Sequence, residues 1–266
     1  MDDDSRRLRG LADRILPVYA RLTRPDAALL AGSAATGGAD AHSDLDLLLY
    51  YRQLPDDDAL AVARGELGGT SLRLIAPRSE SGVIEQFEVD GVACQLGHLS
   101  FADVEGDIRR VAVDLDPDPL AMKAIGGLHE GRPLAGADTI ERWRSEAAYT
   151  DDLQRAIVAR HRPRIVPLWR LHDHIEARDA LIWRQQILVD AALDLVALLA
   201  TANRIWFSSF QFKRLRRFVD RLDEAPPDLA VRLESLFLLA PRAAAEELSR
   251  LVDETDALLA ARGLLP

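Results

Sequence analysis

The chain has 266 residues, 48% apolar and 29% charged, the balance of one large or two small globular domains rather than a disordered polymer. A single cysteine, Cys94, excludes an intramolecular disulfide and a Cys-only zinc site. The net charge of −10 falls wholly on residues 1–140, with 24 acids against 14 bases; this argues against a long nucleic-acid groove there but leaves room for a small anion held through metal ions.

In chain order, Leu8, Leu11, Ile15, Val18 and Leu22 recur at helical spacing and predict a helix over Ser5–Leu22, with Pro17 as a candidate kink. Ala27–Ala31 and Leu45–Tyr51 read as short buried strands, separated by Gly- and Asp-rich material. Pro55–Leu67 reads as a polar helix opened by an acidic first turn. Ser71–Ala76, Val83–Val89 and Val92–His98 read as three further strands, the last two joined by the hairpin signal Asp90-Gly91.

Beyond His98 the pattern is helical. Phe101–Leu115 and Leu120–Leu128 read as helices, and Gly131–Gly136 as a loop and the expected boundary between an α/β domain at residues 1–136 and a helical bundle at 137–266. From Ile140 four or five helices are expected, with Leu181–Thr201 central. The greasiest stretch, Ile187–Ala202, is broken by Asp190 and Asp194 and reads as too short and charged to span a bilayer; the opening MDDDSRRLRG holds no apolar core of a secretory signal. A cytoplasmic protein without a membrane partner is expected.

The chemistry-bearing stretch is Gly32-Ser33, ten residues, then Asp44-Leu45-Asp46. Taken alone, Asp-x-Asp describes exposed loop acids. Here the acids enter an apolar strand, where alternate side chains share a face, so Asp44 and Asp46 would point together while Leu45 and Leu47 face the core. Two carboxylates so placed can share a hard divalent cation. Gly32 lets a ligand approach the backbone, and Ser33 offers a hydroxyl and an amide to phosphate oxygens.

The pattern Gly32-Ser33-x3-Gly37-x2-Asp40-x2-Ser43-Asp44-Leu45-Asp46 resembles the motif of the DNA polymerase β-like nucleotidyltransferase superfamily, in the branch that includes aminoglycoside and lincosamide nucleotidyltransferases. The resemblance continues more weakly through Lys123–Gly136 and through Asn203, Phe207 and Lys213. It implies a mixed-sheet α/β nucleotidyltransferase domain followed by an all-α bundle. It further implies a nucleoside triphosphate co-substrate and Mg²⁺ held by Asp44 and Asp46 as the catalytic pair. Gly32, Ser33 and Ser43 would lie on the nucleotide. The implied reaction is transfer of a nucleoside monophosphate to a hydroxyl on a small, antibiotic-like acceptor.

That superfamily usually draws a third carboxylate from a later strand, and here Gln95 stands at the expected place. A glutamine cannot carry the charge or act as a base. Glu88, Asp90 and His98 are the neighbouring substitutes, and Gln95 is expected to share the face of Asp44 and Asp46, with Cys94 and Leu96 in the core. Two other readings therefore stand beside the enzyme: a nucleotide-binding pseudoenzyme or regulator, and a toxin-like transferase acting on protein or tRNA.

In the second half, Phe210–Arg217 reads as a helix with a broad basic surface, from which Lys213 would reach the triphosphate's β- or γ-phosphate. Arg160-His161-Arg162-Pro163-Arg164 is a second basic cluster. His172 and His174 are too close in sequence to face one way on a helix, and Trp169, Trp183 and Trp206 are expected to pack between helices. Self-association into a homodimer is compatible with the sequence.

Overall fold

A computed structural model describes residues 3–165 and 177–265. The chain divides into two compact units, one of Met1–Val113 with Ala124–Ala148, the other of Asp114–Lys123 with Tyr149–Pro266. The first is an α/β unit around a mixed six-stranded sheet and the second is helical, the α/β-then-helical class expected.

In the first unit, helix α1 (Asp3–Leu22) runs through Pro17 and buries Leu8, Leu11, Ala12, Ile15 and Tyr19. Strand β1 (Ala27–Leu30) leads to a short helix α2 (Gly32–Thr36) and then to β2 (Leu45–Tyr51). Helix α3 (Asp57–Glu66) is capped by Asp56, whose carboxylate accepts from the Ala59 amide at 2.7 Å. Strands β3 (Thr70–Ala76), β4 (Gly82–Val89) and β5 (Val92–Ser100) follow, with Asp90 and Gly91 at positive φ in the hairpin turn as their sequence demands. The sheet order is β3-β4-β5-β2-β1 and a sixth strand, β6 (Arg132–Ala135). The β2–β5 pair is parallel; the other pairs are antiparallel.

Four expectations change here. Arg132–Ala135 is not a loop: it pairs with β1 and forms the sheet edge, its Pro133 tolerated because an edge strand needs no full ladder. The helix expected over Phe101–Leu115 is α4 (Phe101–Ile108) followed by a π-helical turn at Arg109–Val113. Helix α5 (Pro119–Glu130) is longer than read, and α6 (Ala137–Glu146) groups with the sheet, burying Trp143 edge-on against Tyr50 and Phe101 at centroid distances of 5.2 and 4.7 Å.

One sheet face packs on α1, α2 and α3 through Leu45, Leu47, Leu49, Phe87, Cys94 and Leu96. That core also holds a polar network. The Tyr19 hydroxyl donates to Glu85 Oε1 at 2.7 Å, and His98 Nε2 bonds the same oxygen at 3.1 Å. His98 Nδ1 lies 3.1 Å from the Tyr51 hydroxyl, which in turn is 2.9 Å from Thr23 Oγ1. Arg64 on α3 closes the network by pairing with the other Glu85 oxygen. Each polar group finds a partner, the condition on which burial is tolerated.

The second unit contains α7 (Asp151–His161), α8 (Leu181–Ala202), α9 (Leu215–Val219), α10 (Leu229–Ser235) and α11 (Pro241–Ala261). As expected, α8 is central: its residues from Leu188 to Ala202 dominate the core with Phe207, Phe218, Leu233, Leu248 and Leu251. At 22 residues α8 is longer than the stretch read from sequence, and by length and composition it is apolar enough to cross a membrane; what it does here is fill this core, with 67% of its most apolar window buried. Trp206 packs on Tyr149 at 4.7 Å as expected, whereas Trp183 is 49% exposed. Trp169, His172 and His174 lie outside the described residues.

Candidate active site

The segment Gly32–Asp46 turns β1 into β2. Gly32 adopts φ +64° and Gly37 φ +76°, left-handed conformations that cost a glycine least and that bracket α2. Two α1 side chains that the sequence reading passed over hold this turn. Arg9 donates to the Ala34 and Ala35 carbonyls, each at 2.8 Å, and Ser5 Oγ accepts from the Ala39 amide at 3.1 Å. Both lie more than twenty residues before Gly32, and nothing in their local sequence marks them.

The second half of the turn is closed by the motif's own polar residues. Asp40 Oδ1 accepts from the His42 amide and the Ser43 hydroxyl, both at 3.0 Å, while the Asp40 amide donates to Ser43 Oγ at 2.9 Å. Ser43 thus shapes the entry into β2. Asp44 and Asp46 follow, both half-buried, alternating with the fully buried Leu45 and Leu47 as the strand period requires.

Gly32 stands directly over Asp46. A Cβ built on it would lie 2.2 Å from Asp46 Oδ2, so a side chain would displace the carboxylate. The Ala31 amide donates to the Asp46 carbonyl at 2.9 Å and ties the two segments together. Ser33, half-buried, follows Gly32 in the first turn of α2.

The ladders extend this face across the sheet. Asp46 is paired with Gln95 of β5, Gln95 with Gln86 of β4, and Gln86 with Arg73 of β3, so these four residues form one row on one side. Gln95 is therefore where the sequence reading put it, beside small Ala93 and Gly97, with Cys94 and Leu96 turned into the core. Burial pushes the Cys94 thiol up to about 12.

Of the three substitutes for the missing acid, His98 is excluded. It faces the opposite side, is fully buried, and is held by Glu85 and Tyr51. Asp90 sits in the hairpin turn, paired with Arg14 at 2.7 Å. Glu88, exposed and paired in register with Ala93, shares the side of Gln95.

The donor set can be weighed against Mg²⁺. Two carboxylates and a neighbouring amide carbonyl are hard oxygen donors, and Mg²⁺ is commonly held by one or two carboxylates together with substrate phosphates. The bare α-carbon of Gly32 packs against the Asp46 carboxylate, where any side chain would collide with it. Among the described residues no group of three or more His, Cys, Asp or Glu side chains that could hold a metal is found.

In the helical unit the basic segment is not one helix. A 3-10 turn at Ser209–Arg214 precedes α9, with Arg214 out of helical geometry between them, and Arg216 is paired with Glu234. Lys213 is exposed, its amine 5.4 Å from the Phe210 ring centroid. The Arg160–Arg164 cluster is tied to carboxylates: Arg160 to Asp116 at 3.0 Å, His161 to buried Asp194 at 2.7 Å, and Arg162 to Asp256 by two bonds of 2.6 Å. These are braces within the unit.

No protein-family model matches the chain, and no curated protein matches it. Among solved structures, the chain is similar to a nucleotidyltransferase-like protein from Exiguobacterium sibiricum 255-15, with 11% identity and a TM-score of 0.35 over 94% of this chain and 74% of that one. It is also similar to a chain in the structure of the GLD-2/RNP-8 complex, with 14% identity and a TM-score of 0.33 over 90% of this chain and 72% of that one.

Proposed function

We propose that the protein is a nucleotidyltransferase that moves a nucleoside monophosphate from a nucleoside triphosphate to a hydroxyl of a small-molecule acceptor. The observation that carries the reading is the Asp44–Asp46 pair on one strand face, with Gly32 of the Gly-Ser turn pressed against the Asp46 carboxylate. In the reaction the acceptor oxygen bonds the α-phosphorus, the bond from that phosphorus to the bridging oxygen breaks, and pyrophosphate leaves. Asp44 and Asp46 would hold Mg²⁺, which supplies charge neutralisation for the phosphates.

The chain's own residues orient the substrates. Gly32 admits the ligand to the backbone, Ser33 offers its hydroxyl and amide, and Ser43 fixes the turn that presents Asp44. A phosphate-tail role for Lys213 is what the motif's resemblance implies. Gln95 donates and accepts hydrogen bonds beside Asp46 without taking a proton, and Glu88 is the carboxylate on that side of the sheet able to receive the acceptor's proton. An antibiotic-like acceptor follows from the motif's resemblance. A soluble, cytoplasmic setting is part of the same reading.

A second reading is favoured by Gln95: nucleotide binding without transfer. Incubating the protein with Mg²⁺, each of the four α-labelled triphosphates and a panel of hydroxyl compounds separates the two. Labelled acceptor with matching pyrophosphate, lost in Asp44→Asn, supports transfer. Saturable nucleotide binding with neither product across the panel supports the binding protein instead.

A further inference from the structure

Among the groups that the proposed reaction does not use, one is a carboxylate buried inside the helical unit. Asp194 stands on α8, the central helix of that core, with its side chain 1% exposed. Its Oδ1 accepts from Nδ1 of His161, the last residue of α7, at 2.7 Å. Its Oδ2 lies 3.4 Å from the Arg164 guanidinium, an ion pair without a hydrogen bond. A carboxylate in this place costs more than an apolar side chain packed on the same helix. What it fixes is the imidazole. The carboxylate accepts, so Nδ1 donates to it, and the ring's other nitrogen, Nε2, is left for another group. Among the described residues Nε2 has no hydrogen-bond partner.

His161 also lines a pocket of about 70 Å³, several times the space one water needs. Every residue around that pocket belongs to the helical unit. Pro117, Met122, Ile157, Leu193, Ala197 and Phe207 make most of its wall apolar. Two of its polar groups satisfy each other: the Tyr149 hydroxyl donates to Thr201 Oγ1 at 3.2 Å. Burial pushes that phenol up to about 12, so it stays a neutral donor already engaged with Thr201. Ser208 and the exposed Ser209 complete the lining. An anionic ligand would leave water for walls that carry no lysine or arginine. A pure hydrocarbon would bury Nε2 unpaired. A neutral ring or branched chain with one hydroxyl meets both conditions.

We propose that the helical unit binds a small neutral alcohol or phenol in this pocket, its hydroxyl donated to His161 Nε2, with Asp194 as the positioning residue that holds the ring. The site is argued from the helical unit alone and uses neither Asp44 nor Asp46.

Titration of the full chain with phenol, cyclohexanol, toluene and benzoate, followed by ligand-observed NMR and by the imidazole ¹⁵N resonances, tests it. Phenol and cyclohexanol bind saturably below about 10 mM, and toluene and benzoate bind about tenfold more weakly, the scale of one buried hydrogen bond. Phenol shifts the His161 Nε2 resonance and toluene does not. His161→Phe, which keeps a ring and removes both nitrogens, brings phenol down to the affinity of toluene. Asp194→Asn, which keeps the shape, narrows the phenol-to-toluene ratio severalfold; a merely loosened pocket would weaken both probes alike. The wild-type ratio and the Nε2 shift decide the matter even if a variant fails to fold. Equal affinity for phenol and toluene overturns the proposal, as does an unmoved Nε2 resonance or the absence of saturable phenol and cyclohexanol binding. The measurement needs neither nucleotide nor metal, so its outcome leaves the transfer reading untouched.

Discussion

The two faces of the central sheet carry ionisable groups under opposite conditions. On the inner face, Glu85 and His98 are buried at 2% and 0% exposure and are matched by Tyr19, Tyr51, Thr23 and Arg64. On the outer face, Asp44 and Asp46 stand two apart on one strand, half-buried, with a neutral glutamine in register. A charge that is buried and fully partnered holds the fold together, and removing one member strands the others. Like charges gathered at a half-exposed strand entry are partly screened by water and contribute little to the fold. The difference separates the structural carboxylate from the candidate functional ones more sharply than residue type does.

The comparison breaks first at Glu85. Glu85→Ala leaves Arg64, His98 and Tyr19 without their shared partner and is expected to cost about 3–5 kcal/mol in denaturant unfolding, enough to threaten the first unit. Burial by itself would raise the Glu85 carboxyl, but hydrogen bonds from His98 and Tyr19, with their neighbouring charges and that of Arg64, outweigh it and hold it below its ordinary 4.5. The folded state therefore binds this proton less readily than the unfolded chain. The stabilisation is complete above about pH 4.5 and is lost as pH falls below it, and stability curves of Glu85→Gln should be flatter than wild type in that acid range.

The outer face responds the other way. Asp46→Asn should lower transfer by at least about 10²–10³-fold, the scale of one lost electrostatic contact to the reacting group, while unfolding is unchanged or slightly harder because a like charge has gone. A matched loss of stability and activity would assign Asp46 to the inner class. Gly32→Ala probes the junction of the two: the left-handed backbone costs roughly 1–2 kcal/mol, and the new methyl group displaces the Asp46 carboxylate, so Mn²⁺-dependent nucleotide binding should weaken along with melting temperature. The smallest effect is expected at Gln95. Gln95→Glu should tighten Mn²⁺ binding by about tenfold or less, since the added charge sits beside Asp46 but in partly solvated surroundings; weaker Mn²⁺ binding would mean that the amide, not an acid, is what this position requires.

Much of the first unit was legible because its signals are local. A short apolar run marked Leu45–Tyr51, Asp90-Gly91 marked the hairpin, and the spacing from Gly32 to Asp46 marked the candidate site. The misreadings have non-local and local causes. Arg132–Ala135 looks like a loop, with its Pro and flanking glycines, and becomes a strand only because β1 offers an unpaired edge. His98 reads as a candidate base beside the acids; the strand period that turns Gln95 outward turns it inward, a local signal, and only its partners Glu85 and Tyr51 are non-local. The basic run Phe210–Arg217 suggests one helical face, and the break at Arg214 divides it.

The sequence by itself determined the strand that carries Asp44 and Asp46, the turn glycines before it and the place of Gln95, because hydrophobic period and turn chemistry act over a few residues. Tertiary structure alone decided what surrounds each acid. Whether Glu85 is neutralised, whether Gly32 touches Asp46, and whether His161 meets Asp194 all depend on chain segments brought together by the packing of strands and helices, which no local pattern encodes.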